Sequence, residues 1–161
     1  MSNIYINYDE ILDSVGYILE NLESLEIDEV WAIERGGLIP GVHLSHALKV
    51  PLKIVSKNQV NFPYSPDVKK KILLVDDIND TGTTFVNLMR NMLNDGVNLD
   101  DVTLCALYQK KTSDIEVDVY GFITGDEWLV FPWEHTEPEL PTQDENQTVY
   151  YWCFNFDKPD E

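Results

Sequence analysis

Basic residues are scarce in this chain. Eleven lysines and arginines stand against 29 aspartates and glutamates, a formal net charge of −18 over 161 residues. A field of that sign repels polyanions, which argues against general affinity for nucleic acid or an anionic membrane. Cysteine is nearly absent. Cys105 and Cys153 are far apart in apolar surroundings and read as buried free thiols, not as a disulfide framework or a metal site. No apolar run approaches the ~18 residues of a membrane span, and Met1-Ser2-Asn3-Ile4 lacks the basic start of a signal peptide. These absences point to a soluble protein of a reducing, cytoplasmic compartment.

What is present describes a folded domain. Hydrophobic residues make up 43% of the chain, and 4 Trp, 8 Tyr and 6 Phe supply aromatic bulk, which excludes a disordered chain. The length suits one domain over residues 1–161, able to bury about two-thirds of its unfolded surface. Arg35, Lys57, Lys69, Lys70, Lys71, Lys110 and Lys111 fall in or beside expected loops and strand ends, where a small anionic ligand would need them.

The hydrophobic pattern alternates between strand and helix. Asn7 and Glu10 make a capping box, followed by Ile11, Leu12, Val15, Ile18, Leu19 and Leu22 at helical spacing. Val30–Ile33 reads as a strand running into the tight loop Glu34-Arg35-Gly36-Gly37, and 38–49 as a helix with Pro40 in its first turn. Strands are expected at 51–56, 71–76, 102–108, 117–123 and 128–131. The unbroken apolar run of 71–76 marks a central strand buried on both faces. Residues 77–82 read as a polar loop, with Phe85, Leu88, Met89, Met92 and Leu93 on one helical face after it. The expected fold is α/β, a mostly parallel twisted sheet flanked by helices. The core spans about 28–135. Beyond it, 136–147 reads as an acidic surface loop, and the aromatic run 149–156 as an edge strand or a dimer contact. His43 and His46 share a helix but lack further ligands, so packing or surface roles are expected.

Val75-Asp76-Asp77-Ile78-Asn79-Asp80-Thr81-Gly82-Thr83-Thr84 lies between a buried strand and a helix start, where parallel α/β sheets bind ligands. Asp80, Thr81, Gly82, Thr83 and Thr84 supply small residues, hydroxyls and backbone amides at a positive helix end, which suits a phosphate monoester. Adjacent Asp76 and Asp77 would repel that phosphate unless they meet hydroxyls or a cation. A ribose diol supplies the first and magnesium the second. The combination describes a site for ribose 5-phosphate.

This ten-residue string resembles the phosphoribosyl pyrophosphate signature of the type I phosphoribosyltransferases. Upstream, Ala32-Ile33-Glu34-Arg35-Gly36-Gly37-Leu38-Ile39-Pro40-Gly41 is similar to the pyrophosphate loop of the purine members. Downstream, Leu107-Tyr108-Gln109-Lys110 and Trp128-Leu129-Val130-Phe131-Pro132-Trp133-Glu134 resemble the base-binding segments of the xanthine and guanine enzymes. The resemblance implies a purine base displacing pyrophosphate from the anomeric carbon of phosphoribosyl pyrophosphate, with Mg2+ as cofactor. It assigns Asp76, Asp77 and Asp80 to the reacting sugar and base, and Asp77 to magnesium. Arg35, Gly36 and Gly37 go to pyrophosphate. Lys110, Trp128 and Leu129 go to the base, as donor to a six-position oxo group, stacking platform and backbone contact. It also implies a non-proline cis peptide at the Arg35–Gly36 step and a homodimer or homotetramer. The family's mobile hood corresponds to 57–70, a short interval here. An idle sensor of the nucleotide, or an RNA-binding regulator, is the competing reading, and the charge of −18 opposes the latter.

Overall fold

Ten regular elements and two short 3-10 turns follow one another over residues 2–134, the part of the chain that the computed structural model describes. They are β1 (Asn3–Tyr5), α1 (Tyr8–Leu22), β2 (Glu29–Ile33), α2 (Leu38–Leu48), β3 (Leu52–Val55), β4 (Ile72–Asn79), α3 (Thr83–Asn94), β5 (Val102–Lys110), β6 (Val119–Thr124) and β7 (Trp128–Val130). The turns are Leu99–Asp101 and Pro132–Glu134. The capping box forms as expected: the Glu10 amide donates to Asn7 Oδ1 at 2.9 Å, and the Asn7 amide to Glu10 Oε2 at 2.8 Å. Cys153 and the stretches 136–147 and 149–156 lie outside the described residues.

Five strands form one parallel sheet in the order β3-β2-β4-β5-β6, while β1 and β7 pair in a separate parallel ribbon. Ile72, Leu73, Leu74 and Val75 of β4 are fully buried, because helices or loops cover both faces of the central strand. One face packs Ile11, Val15 and Ile18 of α1 and Leu44 of α2 against Val30, Leu73 and Val75. The other packs Phe85, Leu88 and Met92 of α3 against Trp31, Leu74 and Leu104.

The strand order fixes where a ligand can sit. The chain runs from β2 outward to β3, then returns past β2 to β4 and continues the other way. That reversal opens a crevice between β2 and β4 outside their carboxyl ends. The two segments leaving those ends are 34–37 and the stretch from Asp76 to Gly82.

Residues 57–70 also cover the sheet. Phe62 stacks on Trp31 with ring centroids 5.7 Å apart and planes 3° from parallel. The Phe62 amide donates to Asp95 Oδ2 at 3.1 Å, and Asn91 Nδ2 donates to the Gln59 carbonyl at 2.9 Å. The middle of this interval therefore belongs to the core on the α3 side. Its first residues, Lys57 and Asn58, border Arg35 in a cleft with Glu34 and Ser56.

Strand ends differ from the periodicity reading. β4 continues through Asn79, so Asp77, Ile78 and Asn79 are strand and the loop shrinks to Asp80–Gly82. The polar side chains hid this, since pairing with β5 holds the backbone extended whatever the side chains' polarity: Ile78 pairs Tyr108 and Asn79 pairs Gln109. For the same reason β5 runs on to Lys110, while β6 starts at Val119. β1, three exposed residues long, carries no periodic signal.

At the opposite, amino-terminal end of the strands, Glu29 is 2% exposed. Burial alone would raise its pKa, but Lys53 at 2.9 Å, Lys70 and the Trp31 indole N–H at 2.9 Å outweigh it and bring the carboxyl down to about 2. A depressed carboxylate contributes stability above its unfolded value of 4.5, and loses it as pH falls through about 2. Glu29→Gln is expected to cost about 2 kcal/mol at pH 7, since both lysines are partly solvated, and the difference from wild type closes toward pH 2. Urea titrations at several pH values measure it.

Candidate active site

β2 delivers its last residue, Ile33, to the crevice, and the chain turns at once. The non-proline cis peptide lies at Glu34–Arg35, one bond before the Arg35–Gly36 step expected from the resemblance. Arg35 is exposed at the turn. Gly36 lies directly against the Asp77 carboxylate, so a side chain there would occupy the space of Oδ1 and Oδ2. The Gly37 amide donates to the Ile33 carbonyl at 2.8 Å. The expected use of that amide for pyrophosphate is thereby corrected: it is turned inward. Gly37 instead lets the turn close over β2, since a Cβ would meet the Ile33 carbonyl at 2.7 Å.

Asp76 and Asp77 end the buried half of β4. The Asp77 amide donates to Asp76 Oδ1 at 2.9 Å, and the Ile78 amide to Asp77 Oδ1 at 2.8 Å. Burial pushes the Asp76 carboxyl well up, and the neighbouring Asp77 charge adds to the shift. Burial also raises Asp77, with the Glu134 charge adding to it, against hydrogen bonds from Asp76 and the Ile78 amide that pull the other way. Burial thus disfavours the charged form of both carboxyls in the empty protein.

Asp77 backs a cavity of about 720 Å³ lined also by Arg35, Gly36, Leu38, Ile39, Trp133 and Glu134. Trp133 stacks on Phe131 at 4.9 Å, and the Phe131 amide donates to Glu134 Oε2 at 2.8 Å, which fixes the 3-10 turn at the cavity wall. The buried Trp133 indole N–H lies toward Asp77 without a hydrogen bond of good geometry. Arg35 is the one cation against two carboxylates among the described residues of the lining, so a positive ion would favour a polyanion there. Among the described residues no group of three or more His, Cys, Asp or Glu side chains could hold a metal alone. Magnesium therefore suits the donor set as an ion shared between Asp76 or Asp77 and oxygens of a ligand.

The phosphate turn follows. Gly82 has φ 89°, a left-handed conformation that favours glycine, and a Cβ there would meet Ile115 Cγ1 at 2.8 Å. α3 begins next, its first helical bond running from the Val86 amide to the Gly82 carbonyl at 3.0 Å. Amides before Val86 have no partner within the helix. Thr81 and Thr83 are exposed, with hydroxyls 2.9 Å apart, and the Asp114 amide donates to the Thr81 carbonyl at 3.1 Å. Hydroxyls and amides are thus gathered at a positive helix end.

Asp80 and Lys110, at the ends of adjacent strands, form an ion pair of 2.9 Å. Lys110 is 6% exposed while the Asp80 side chain is 46% exposed, so the lysine reaches out from the core to an open carboxylate. Trp128 is 51% exposed on β7 and does not line the cavity at Asp77. The Leu129 side chain belongs to the core. Its backbone is more telling: the Trp128 amide donates to the Ser2 carbonyl and the Ile6 amide to the Val130 carbonyl, so by alternation the Leu129 amide and carbonyl face away from β1. His43 is paired with the Tyr8 hydroxyl at 2.6 Å, a packing role as expected.

Sequence reasoning did not select Leu38, Ile39, Trp133 and Glu134 as lining residues. The first two follow the glycine turn directly; the last two stand within the downstream segment, and only the 3-10 turn aims them at Asp77.

The family model of the phosphoribosyl transferase domain matches residues 7–140, and the chain belongs to that family. The structure is similar to a purine phosphoribosyltransferase from Pyrococcus horikoshii Ot3, with a TM-score of 0.70 and 27% identity over 88% of this chain and 100% of that one. It shares its fold with a hypothetical protein from Neisseria gonorrhoeae with bound ppGpp (TM-score 0.69, 21% identity, 84% and 91% covered). A Helicobacter pylori xanthine-guanine-hypoxanthine phosphoribosyltransferase has it too (TM-score 0.66, 21% identity, 82% and 93% covered). No curated protein matches the chain. No helix among the described residues is long and apolar enough to cross a membrane.

Proposed function

We propose that the protein transfers the 5-phosphoribosyl group of phosphoribosyl pyrophosphate to an oxopurine (xanthine, guanine or hypoxanthine), giving a nucleoside monophosphate and pyrophosphate, a reaction of purine salvage. The observation that carries this reading is the seat of Gly36 on the Asp77 carboxylate. It brings the arginine-glycine turn and Asp77, far apart in sequence, to one cavity. The likeness to a purine phosphoribosyltransferase supports a purine as the acceptor.

In this reading the turn from Thr81 to Thr84 binds the 5-phosphate through hydroxyls and helix amides. Asp76 and Asp77 accept hydrogen bonds from the ribose hydroxyls, and Arg35 with the Gly36 amide binds the pyrophosphate. Magnesium, held by Asp77 and ligand oxygens, would neutralise the departing pyrophosphate. Asp80 orients the imidazole part of the purine and accepts its proton as the base nitrogen attacks the anomeric carbon. Lys110 donates to the six-position oxygen. The Leu129 backbone groups meet the base edge, and Trp128 offers its half-exposed ring for stacking. Exposed apolar side chains at Tyr8, Leu12 and Val42 support a homodimer or homotetramer.

The test is a spectrophotometric assay with phosphoribosyl pyrophosphate, magnesium and each of xanthine, guanine, hypoxanthine, adenine, uracil and orotate. Turnover with an oxopurine is expected, falling about 100-fold or more in Asp80→Asn. Binding of phosphoribosyl pyrophosphate without turnover of any base would replace the enzyme by a sensor of that compound.

A further inference from the structure

We infer that Asn79 and Gln109 form a cross-strand amide clamp that holds Lys110 against Asp80, making the two amides positioning residues for discrimination between oxo and amino bases. The inference rests on the function proposed above and concerns residues that the reaction itself does not touch.

Asn79 and Gln109 are register partners on the last rung shared by β4 and β5, and each immediately precedes one member of the ion pair. They are 1% and 5% exposed. Asn79 Nδ2 donates to Gln109 Oε1 at 2.8 Å and to the Ile115 carbonyl at 2.8 Å. Gln109 Oε1 also accepts from the Val117 amide at 3.1 Å. Gln109 Nε2 donates to the Lys110 carbonyl at 2.8 Å and to the Ile115 carbonyl at 3.2 Å. Turning either amide over would face oxygen to carbonyl oxygen, so this orientation is the one the network permits.

Two apolar side chains would pack this rung without the cost of burying amides. What the amides add is geometry. The Lys110 carbonyl accepts from Gln109 Nε2 and from the Ser113 amide at 3.2 Å, which holds the backbone from which the lysine side chain reaches Asp80. Lys110 has donors only, so in a fixed position it favours an oxo group and disfavours an amino group. A lysine free to swing away loses both preferences.

The experiment compares wild type with Asn79→Leu, Gln109→Met and the double variant. Melting curves establish that each is folded. The KM for guanine is expected to rise about 10-fold or more with KM for phosphoribosyl pyrophosphate changed less than about threefold, and the preference for guanine over adenine falls by a similar factor. The double variant is no worse than the poorer single one, because both remove one network. In the ligand-free protein, the 15N-detected ammonium signal of Lys110, kept from exchange by burial and pairing, disappears in the variants. Folded variants with unchanged guanine KM, or with both KM values rising together, overturn the clamp. If wild type turns over no base, the proposed function fails by itself. The ammonium signal then decides the clamp alone, its survival in the variants overturning it.

Discussion

Asp76→Asn is expected to raise the melting temperature of the empty protein near neutral pH while lowering turnover about 100-fold or more. The two effects have one cause. A carboxyl whose folded pKa is raised contributes stability below its unfolded value of 3.8, and that contribution is lost as pH rises through the folded pKa. In the empty protein burial and the neighbouring Asp77 both oppose the charged form of Asp76. Asparagine keeps the shape and removes the charge, a gain of about 1 kcal/mol, or roughly 2–4 °C in a domain of this size. The same change removes an acceptor for the ribose hydroxyls. Magnesium with phosphoribosyl pyrophosphate is expected to raise the wild-type melting temperature and to leave that of Asp76→Asn nearly unmoved. A variant that melts lower and turns over normally would mean that the carboxylate serves the fold and not the ligand.

Lys110→Met carries the second large effect. Methionine retains most of the lysine's volume in its 6% exposed position and removes the ammonium. The lost partner, Asp80, has a side chain 46% exposed, so water can solvate it and the stability cost stays small. Activity responds differently. With the donor to the six-position oxygen gone, kcat/KM for an oxopurine is expected to fall about 100-fold, while KM for phosphoribosyl pyrophosphate stays within about twofold. Adenine, which presents an amino group there, gains relative to guanine. Steady-state kinetics with both bases measures this, and equal losses for both would remove Lys110 from base recognition.

The parts of the site legible in sequence are those where chemistry and backbone need coincide in one short string. Gly82 must take a positive φ, Thr81 and Thr83 offer hydroxyls that the proposed function uses, and the buried run before Asp76 places them at a strand end. Each need leaves a residue type behind, so the turn could be read directly. The arginine-glycine loop was legible in identity but not in detail: the cis bond stands one residue earlier, and the Gly37 amide points inward. Both depend on how β2 closes over β4, which no local pattern encodes. The true end of β4 was hidden because pairing with β5, not side-chain hydrophobicity, keeps Asp77 to Asn79 extended. Phe62 gave no sign that the interval 57–70 belongs to the core, since it and Tyr64, two aromatics among prolines, show no helical period. Its partner Trp31 sits 31 residues upstream in sequence and meets it only through the fold.

The most direct measurement is calorimetric titration of phosphoribosyl pyrophosphate into the protein, with and without magnesium, in buffers of differing ionisation enthalpy. The cavity of Arg35, Gly36 and Asp77 predicts binding that requires magnesium. It also predicts release of protons from the protein as Asp76 and Asp77 ionise against ribose hydroxyls and the metal, a release reduced in Asp76→Asn. Binding that ignores magnesium and releases no protons, or no binding at all, would contradict the assignment of this crevice to a phosphoribosyl pyrophosphate.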